Sequence, residues 1–242
     1  MMLTQTICER WFFLCHSRET IGSTMKAKTV LLWVIIIAVG ALVLGLALEP
    51  RFSDRIAIHW DEQGVADGYG SRFMGLFFMP IIIVGMSLLL LGIPQIDPLK
   101  KNIEKFRNEY YIFILIFAGY FAYLHVLTLL YNVGLKFNML AMMIPAMAGF
   151  FYYVGVMLSK AKQNYFIGIR TPWTLQDEDV WNETHVVGSK GFKLAAIVGL
   201  IGVVIPSLAI WFLMVPLLVV AFYTVIYSYV AYRRKHRNQN NT

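Results

Sequence analysis

The chain has 242 residues, of which 58% are hydrophobic and only 14% charged, and its mean hydropathy is +0.62. Soluble domains carry roughly 25% charged residues, so the composition excludes an ordinary soluble protein and points to a polytopic membrane protein. The net charge of +7 is read as loop charge under the positive-inside rule rather than as a nucleic-acid surface, and no direct nucleic-acid contact is expected.

Residues 1–24 differ in character from the rest and are read as an extension outside the core. Met25-Lys26-Ala27-Lys28 ahead of an apolar run is a usual start for such a protein. No apolar core before Met25 is long enough for a signal peptide. Cys8 and Cys15 both precede the first span, so the membrane body has no internal disulfide. With His16 they lack the fourth ligand and the spacing of a metal site.

About 20 apolar residues, at roughly 1.5 Å each, cross a bilayer as a helix. Segments 29–48, 73–93, 110–131 and 138–158 meet that length. The apolar stretch from Phe192 to Tyr232 is too long for one span and carries Pro206-Ser207 near its middle. It is divided into 192–207 and 210–231, giving six transmembrane helices in an all-α fold. Five spans, with Pro206 as a kink, is the alternative.

The basic residues set the orientation. With both termini inside, the inner face receives Lys26, Lys28, Lys100, Lys101, Lys105, Arg107, Lys160, Lys162, Arg170, Lys190, Lys193 and the Arg233–Arg237 cluster. The outer face receives only Arg51, Arg55, Arg72 and Lys136. That one-sidedness predicts an N-in, C-in topology.

The outer loop 49–72 is expected to carry structure. Ile56, Ile58 and Trp60 alternate with Ala57 and His59, the period of a strand, and Gln63-Gly64 and Asp67-Gly68 are turn signals. A small hairpin follows, with His59 and Asp61 on one face. Adding Asp67 makes an incomplete metal set, and no metal is expected. In the inner loop 94–109, Asp97 caps a short helix with Pro98 at its first position. Leu99, Ile103, Phe106 and Tyr110 repeat at helical spacing, so that helix should lie in the membrane interface. In the inner loop 159–191, Ile169 to Trp173 should be extended ahead of Pro172. Thr174-x-x-Asp177 then opens a helix through about Val187, with Trp181 and His185 on one face. Trp173 and Trp181 serve either as headgroup-level anchors or as ligand contacts. Within the third span, His125 and Thr128 read as a helix–helix hydrogen bond or as a functional group.

No span contains an acidic residue, which argues against a coupled transporter. HExxH, GxSxG and phosphate-loop patterns do not occur, and neither an enzyme nor a cofactor is expected.

Three motifs carry a resemblance. Ile58-His59-Trp60-Asp61, Gly64 and Asp67-Gly68-Tyr69-Gly70-Ser71-Arg72 form the first, with Ala57 where the pattern usually has proline. Ile96-Asp97-Pro98 with Asn102 forms the second. The third runs from Asn164 through Gly168-Ile169-Arg170, Pro172-Trp173-Thr174-Leu175 and Trp181 to His185. In this order they resemble the SdpI family of membrane proteins. The resemblance implies an N-terminal membrane module (25–95), an SdpI-like membrane domain (96–232) and a basic cytoplasmic tail (233–242). It also implies a multi-pass protein of the cell membrane, giving immunity to a secreted toxic peptide and capturing a cytosolic transcriptional repressor. Beyond the lipid bilayer, these two are the partners expected. The candidate ligand or partner residues are His59, Trp60, Asp61, Asp67, Gly68 and Tyr69 outside, and Asn164, Gly168, Arg170, Thr171, Pro172, Trp173, Trp181 and His185 inside. A peptide or small-molecule transporter or channel is the alternative.

Overall fold

The computed structural model describes residues 25–239, without the side chains of Pro206, Asn238 and Gln239. The 1–24 extension, with Cys8 and Cys15, lies outside the described residues. The described residues are all-α apart from one hairpin. In order it forms α1 (Ala27–Leu48), β1 (Arg55–Trp60), β2 (Ala66–Ser71), α2 (Arg72–Ile96), α3 (Lys100–Glu104), α4 (Arg107–Asn132), α5 (Met139–Leu158), α6 (Pro172–Gln176), α7 (Glu178–Gly199) and α8 (Ala209–Gln239). Six of the helices, α1, α2, α4, α5, α7 and α8, are long and apolar enough to cross a membrane.

The first four spans fall within a few residues of their expected bounds, because hydropathy and length set them. The fifth does not. Residues 178–187 and 192–199, expected as a surface helix and a separate span, are one continuous α7 that tightens into 3-10 turns at Leu200–Val203. Gly188 and Gly191 look like breakers in sequence. In the fold they let Ile169 and Val220 lie against the helix backbone, so packing overrides their poor propensity. Lys190 and Lys193 therefore sit inside α7 and not in a loop. The stem of Lys193 lies along Gly155 of α5.

The helices pack in two groups. Val30, Val34, Ile83, Ile114 and Ala118 join α1, α2 and α4. Leu140, Ile144, Ala148, Ala195, Leu213 and Leu217 join α5, α7 and α8. The hairpin docks on the first group through Phe52, Ile56, Leu76 and Leu129. Trp181, fully buried, joins the first core together with Ala161 and Ile167, and is no headgroup-level anchor.

In the third span, His125 is fully buried and neither ring nitrogen has a hydrogen-bond partner among the described residues. Thr128 donates within its own helix, to Leu124. The expected helix–helix bond between spans is thus not made by these two side chains.

Candidate functional site

Two polar assemblies cap opposite ends of the bundle. At the hairpin end, β1 and β2 pair antiparallel through two irregularities, one at Ile58 and one at Asp67. The first is a bulge that breaks the expected alternation, so Ile56 and Ala57 are both buried while Ile58 is exposed. The two shifts together bring His59 beside Asp67, with Nδ1 2.6 Å from Oδ1. Asp61 does not share their face. It belongs to the turn, where its carboxylate accepts from the amides of Gln63 and Val65.

Helix termini hold this hairpin. Asn132, the last residue of α4, accepts from the Ala57 amide at 2.8 Å and donates to the Ala57 carbonyl at 2.9 Å, so it imitates a neighbouring strand. Asn138 caps α5 and donates to the Gln63 carbonyl at 2.7 Å. Arg72 ties the preceding segment, donating to the Ser53 and Phe52 carbonyls and pairing with Glu49 and Asp54. Tyr69 and His59 stay largely exposed. Trp60 packs edge-on against Tyr131, with ring centroids 5.4 Å apart. Beneath the strand, Ile58, His59 and Trp60 join residues of α2, α4 and α5 around a cavity of about 230 Å³.

At the opposite end, residues 159–177 fold around buried polar groups. The Asn164 side chain accepts from the Phe166 and Ile167 amides and donates to the Lys162 and Ile167 carbonyls. Gly168 takes φ +114°, and a β-carbon there would collide with His185 Nε2. His185 stacks on Trp181 with centroids 4.0 Å apart. Its Nε2 accepts from the Ile169 amide at 3.0 Å, so Nδ1 carries the proton and donates to the Trp181 carbonyl at 2.8 Å. Trp181 Nε1 donates to the Ala161 carbonyl.

The capping is displaced from its expected place. Thr171, extended as Pro172 requires, and Thr174 form a capping box for α6, and Asp177 alone caps α7. Pro172 and Trp173 are helical, not extended, because proline suits the first turn. Trp173 leans on Tyr229 of α8, and Thr171 donates to Ser228. Asp97 makes two ties. It accepts from Leu99 before α3, which starts at Lys100 instead of Pro98, and from the Tyr165 amide 2.9 Å away. Arg170 is exposed and makes one described hydrogen bond, to the Tyr165 carbonyl.

Residues 233–239 continue α8 and return to this assembly. Lys235 pairs with Asp177 and Asp179, and Arg234 with Glu183. Burial by itself would raise the Asp177 carboxyl. Lys235 and the Val180 and Asp179 amides outweigh that and hold it below the ordinary carboxylate value.

The structure thus brings His59 to Asp67, and Asn164, Gly168, Thr171, Trp181 and His185 into one knot. It separates Asp61 and Arg170 from these groupings. Sequence reasoning missed Asn132 and Asn138 and read Arg72 only as an outer charge and a motif residue, although an asparagine or basic residue at the mouth of a span is a signal of its own.

The hairpin and residues 160–177 of the loop fall in the segments that resemble known proteins. Residues 36–84 match the family described as a domain of unknown function, DUF1648. Residues 160–228 match the SdpI/YfhL protein family. The immunity protein SdpI of Bacillus subtilis (strain 168) is 28% identical over 171 residues, covering 67% of this chain and 78% of that protein. No solved structure matches the chain. Over these segments the chain is homologous to the DUF1648 and SdpI/YfhL families, and its likeness to the immunity protein is distant.

Proposed function

We propose that this protein is an immunity and sensor protein of the cell membrane, with both termini in the cytoplasm, that protects against a secreted toxic peptide by binding and not by catalysis. The observation that carries the reading is the coincidence of the two homologous segments with the two built polar caps. The hairpin, with His59 and Tyr69 exposed, is the surface offered to an extracellular peptide. The 159–177 loop presents Tyr165, Phe166 and Arg170 at its exposed surface. These are the contacts through which a cytosolic repressor would be held. His185 argues for binding over acid–base chemistry, since both its ring nitrogens are engaged by backbone groups. The orientation is supported by the one-sided basic residues, of which Lys100, Lys101 and the Arg233–Arg237 cluster share the loop end.

Expression in peptide-sensitive cells should raise survival in the presence of the toxin. Unchanged killing at normal expression would overturn the immunity reading. For topology, Ser53→Cys and Lys101→Cys in a chain lacking Cys8 and Cys15 are labelled in intact cells by an impermeant maleimide. Only position 53 should react.

A further inference from the structure

At the loop end, α8 outruns the bilayer. Its 31 residues measure about 46 Å at helical rise, against about 30 Å of hydrocarbon. The apolar run stops at Tyr232, and Arg233, Arg234, Lys235 and Arg237 follow within five residues. The end of α8 therefore stands at the level of the lipid headgroups. Ala231 is the last buried residue of α8 among the described side chains. Past it, a cleft of about 420 Å³ lies between the two helix ends, lined by Asp179, Asn182 and Glu183 of α7 and by Ala231, Arg234 and Lys235 of α8. Ion pairs bridge this cleft. Lys235 Nζ donates to Asp177 Oδ1 at 2.8 Å and to Asp179 Oδ2 at 2.6 Å, and Arg234 Nη2 donates to Glu183 Oε2 at 2.5 Å. Among the described residues, these are the hydrogen bonds and ion pairs that join 233–237 to the rest of the fold, since Arg233 turns back onto Tyr229 of its own helix.

Two attractions compete for these cations. Arg234, Glu183 and Asp179 are largely exposed, and an exposed ion pair contributes little in water. A basic side chain beside an anionic leaflet gains a similar amount. The two exclude each other: a cation held on the acids of α7 is not free to settle among phosphates, and those acids repel the same headgroups. Nearly equal and mutually exclusive contacts make a two-state element. Asp177 gives it reach. It directly follows α6 and caps α7, accepting from the Asp179 and Val180 amides. Losing Lys235 would strip the counter-charge from this cap. The deeper ties of α8 to the loop, Ser228 to Thr171 and Tyr229 to Trp173, would stay in place.

We propose that the end of α8 is a latch governed by membrane charge: Arg234 and Lys235 hold it on the acidic first turns of α7, and anionic phospholipid headgroups draw it off. The latch needs nothing from the immunity reading and stands or falls without it.

The test uses the full chain with Cys8 and Cys15 replaced by serine and spin labels at Gln176→Cys and Arg237→Cys, both exposed positions. The distance between the labels is measured in nanodiscs of phosphatidylcholine, and in nanodiscs of phosphatidylcholine and phosphatidylglycerol in equal parts. One narrow distance is expected in the first. In the second a longer distance should appear, with the ratio of released to latched protein raised about fivefold, the pull of one basic side chain toward an anionic surface. Asp179→Asn with Glu183→Gln should shift the protein toward the released distance in phosphatidylcholine already. Arg234→Gln with Lys235→Gln should lose the response to phosphatidylglycerol. Identical distances in the two lipids would make the ion pairs fixed struts and overturn the proposal. A distribution that narrows with phosphatidylglycerol would overturn it too, because the headgroups would then reinforce the contact. So would a full lipid response in the Arg234→Gln, Lys235→Gln protein, which would assign the response to other basic residues. If the labelled chain fails to fold, hydrogen exchange of the unlabelled protein decides. The amides of Asp179 and Val180 should exchange about fivefold faster in the anionic discs, and equal rates would overturn the latch.

Discussion

The hairpin and the 159–177 loop close the two ends of one bundle, and they are held by opposite means. The loop is knotted from within. Asn164 and Thr174, both buried, spend their polar atoms on the loop's own backbone, and the buried His185 of α7 accepts from the Ile169 amide within it. The hairpin is held from outside, by Asn132, Asn138 and Arg72 at the mouths of helices. A cap tied from within keeps for a partner only the side chains at its exposed surface, Tyr165, Phe166 and Arg170. A cap tied from outside leaves Tyr69, and the exposed side of His59 beyond its bond to Asp67, at the surface for contact. Polar motifs of similar density therefore serve different ends.

The comparison can be broken hardest at Gly168. Gly168→Ala forces a β-carbon into His185 at a backbone angle that alanine avoids. It should cost roughly 3 kcal/mol, read as a large fall in thermal midpoint in detergent. Asn164→Ala comes next. It strands buried amides and carbonyls and should cost about 2–3 kcal/mol. If either variant melts like the wild type, the loop is not the rigid element described. Asn132→Ala should behave differently. It frees the hairpin by about 1 kcal/mol, speeding amide exchange over Arg55–Trp60 and leaving the global midpoint nearly unchanged. A global loss of equal size would erase the contrast between the caps.

Asp177 gives a smaller effect, dependent on pH. Its folded carboxyl titrates below the unfolded one, so its contribution is whole above the ordinary carboxylate value near about 4 and fades as pH falls below it. The wild-type midpoint should therefore drop in that acidic window more than the Asp177→Asn midpoint does. Parallel curves would remove the Lys235 tie from the account. Arg170 should matter least. With one exposed bond, Arg170→Lys and Arg170→Ala should each stay within about 0.5 kcal/mol of wild type. Any larger effect on survival than on stability would then mark a contact with a partner.

Much of this architecture was legible in the chain. Spans show because length and hydropathy act locally, and the hairpin shows because Gly64 and the flanking apolar residues are local signals too. The continuous α7 was hidden. Gly188 and Gly191 look like breaks until Ile169 and Val220 are seen to occupy the space they leave. The same concealment affects Trp181, whose burial depends on a loop that folds back over it. At the hairpin, the irregularities at Ile58 and Asp67 together set Asp67, and not Asp61, beside His59, a change of register that no periodicity reveals. Asn132 carried only the general signal of an asparagine at the mouth of a span. Its partner, the backbone of Ala57, is reached only through the tertiary fold.

The double bond from Asn132 to Ala57 also has a mechanical side. It fixes the hairpin to the end of α4, a rod of about 39 Å at helical rise. The far end of that rod receives the Met25 amide on Asn108 and the Tyr153 hydroxyl on the Glu109 carbonyl. A load that lifts or twists the hairpin is borne along α4 as along a strut, and its footing stands among the groups that support the opposite cap.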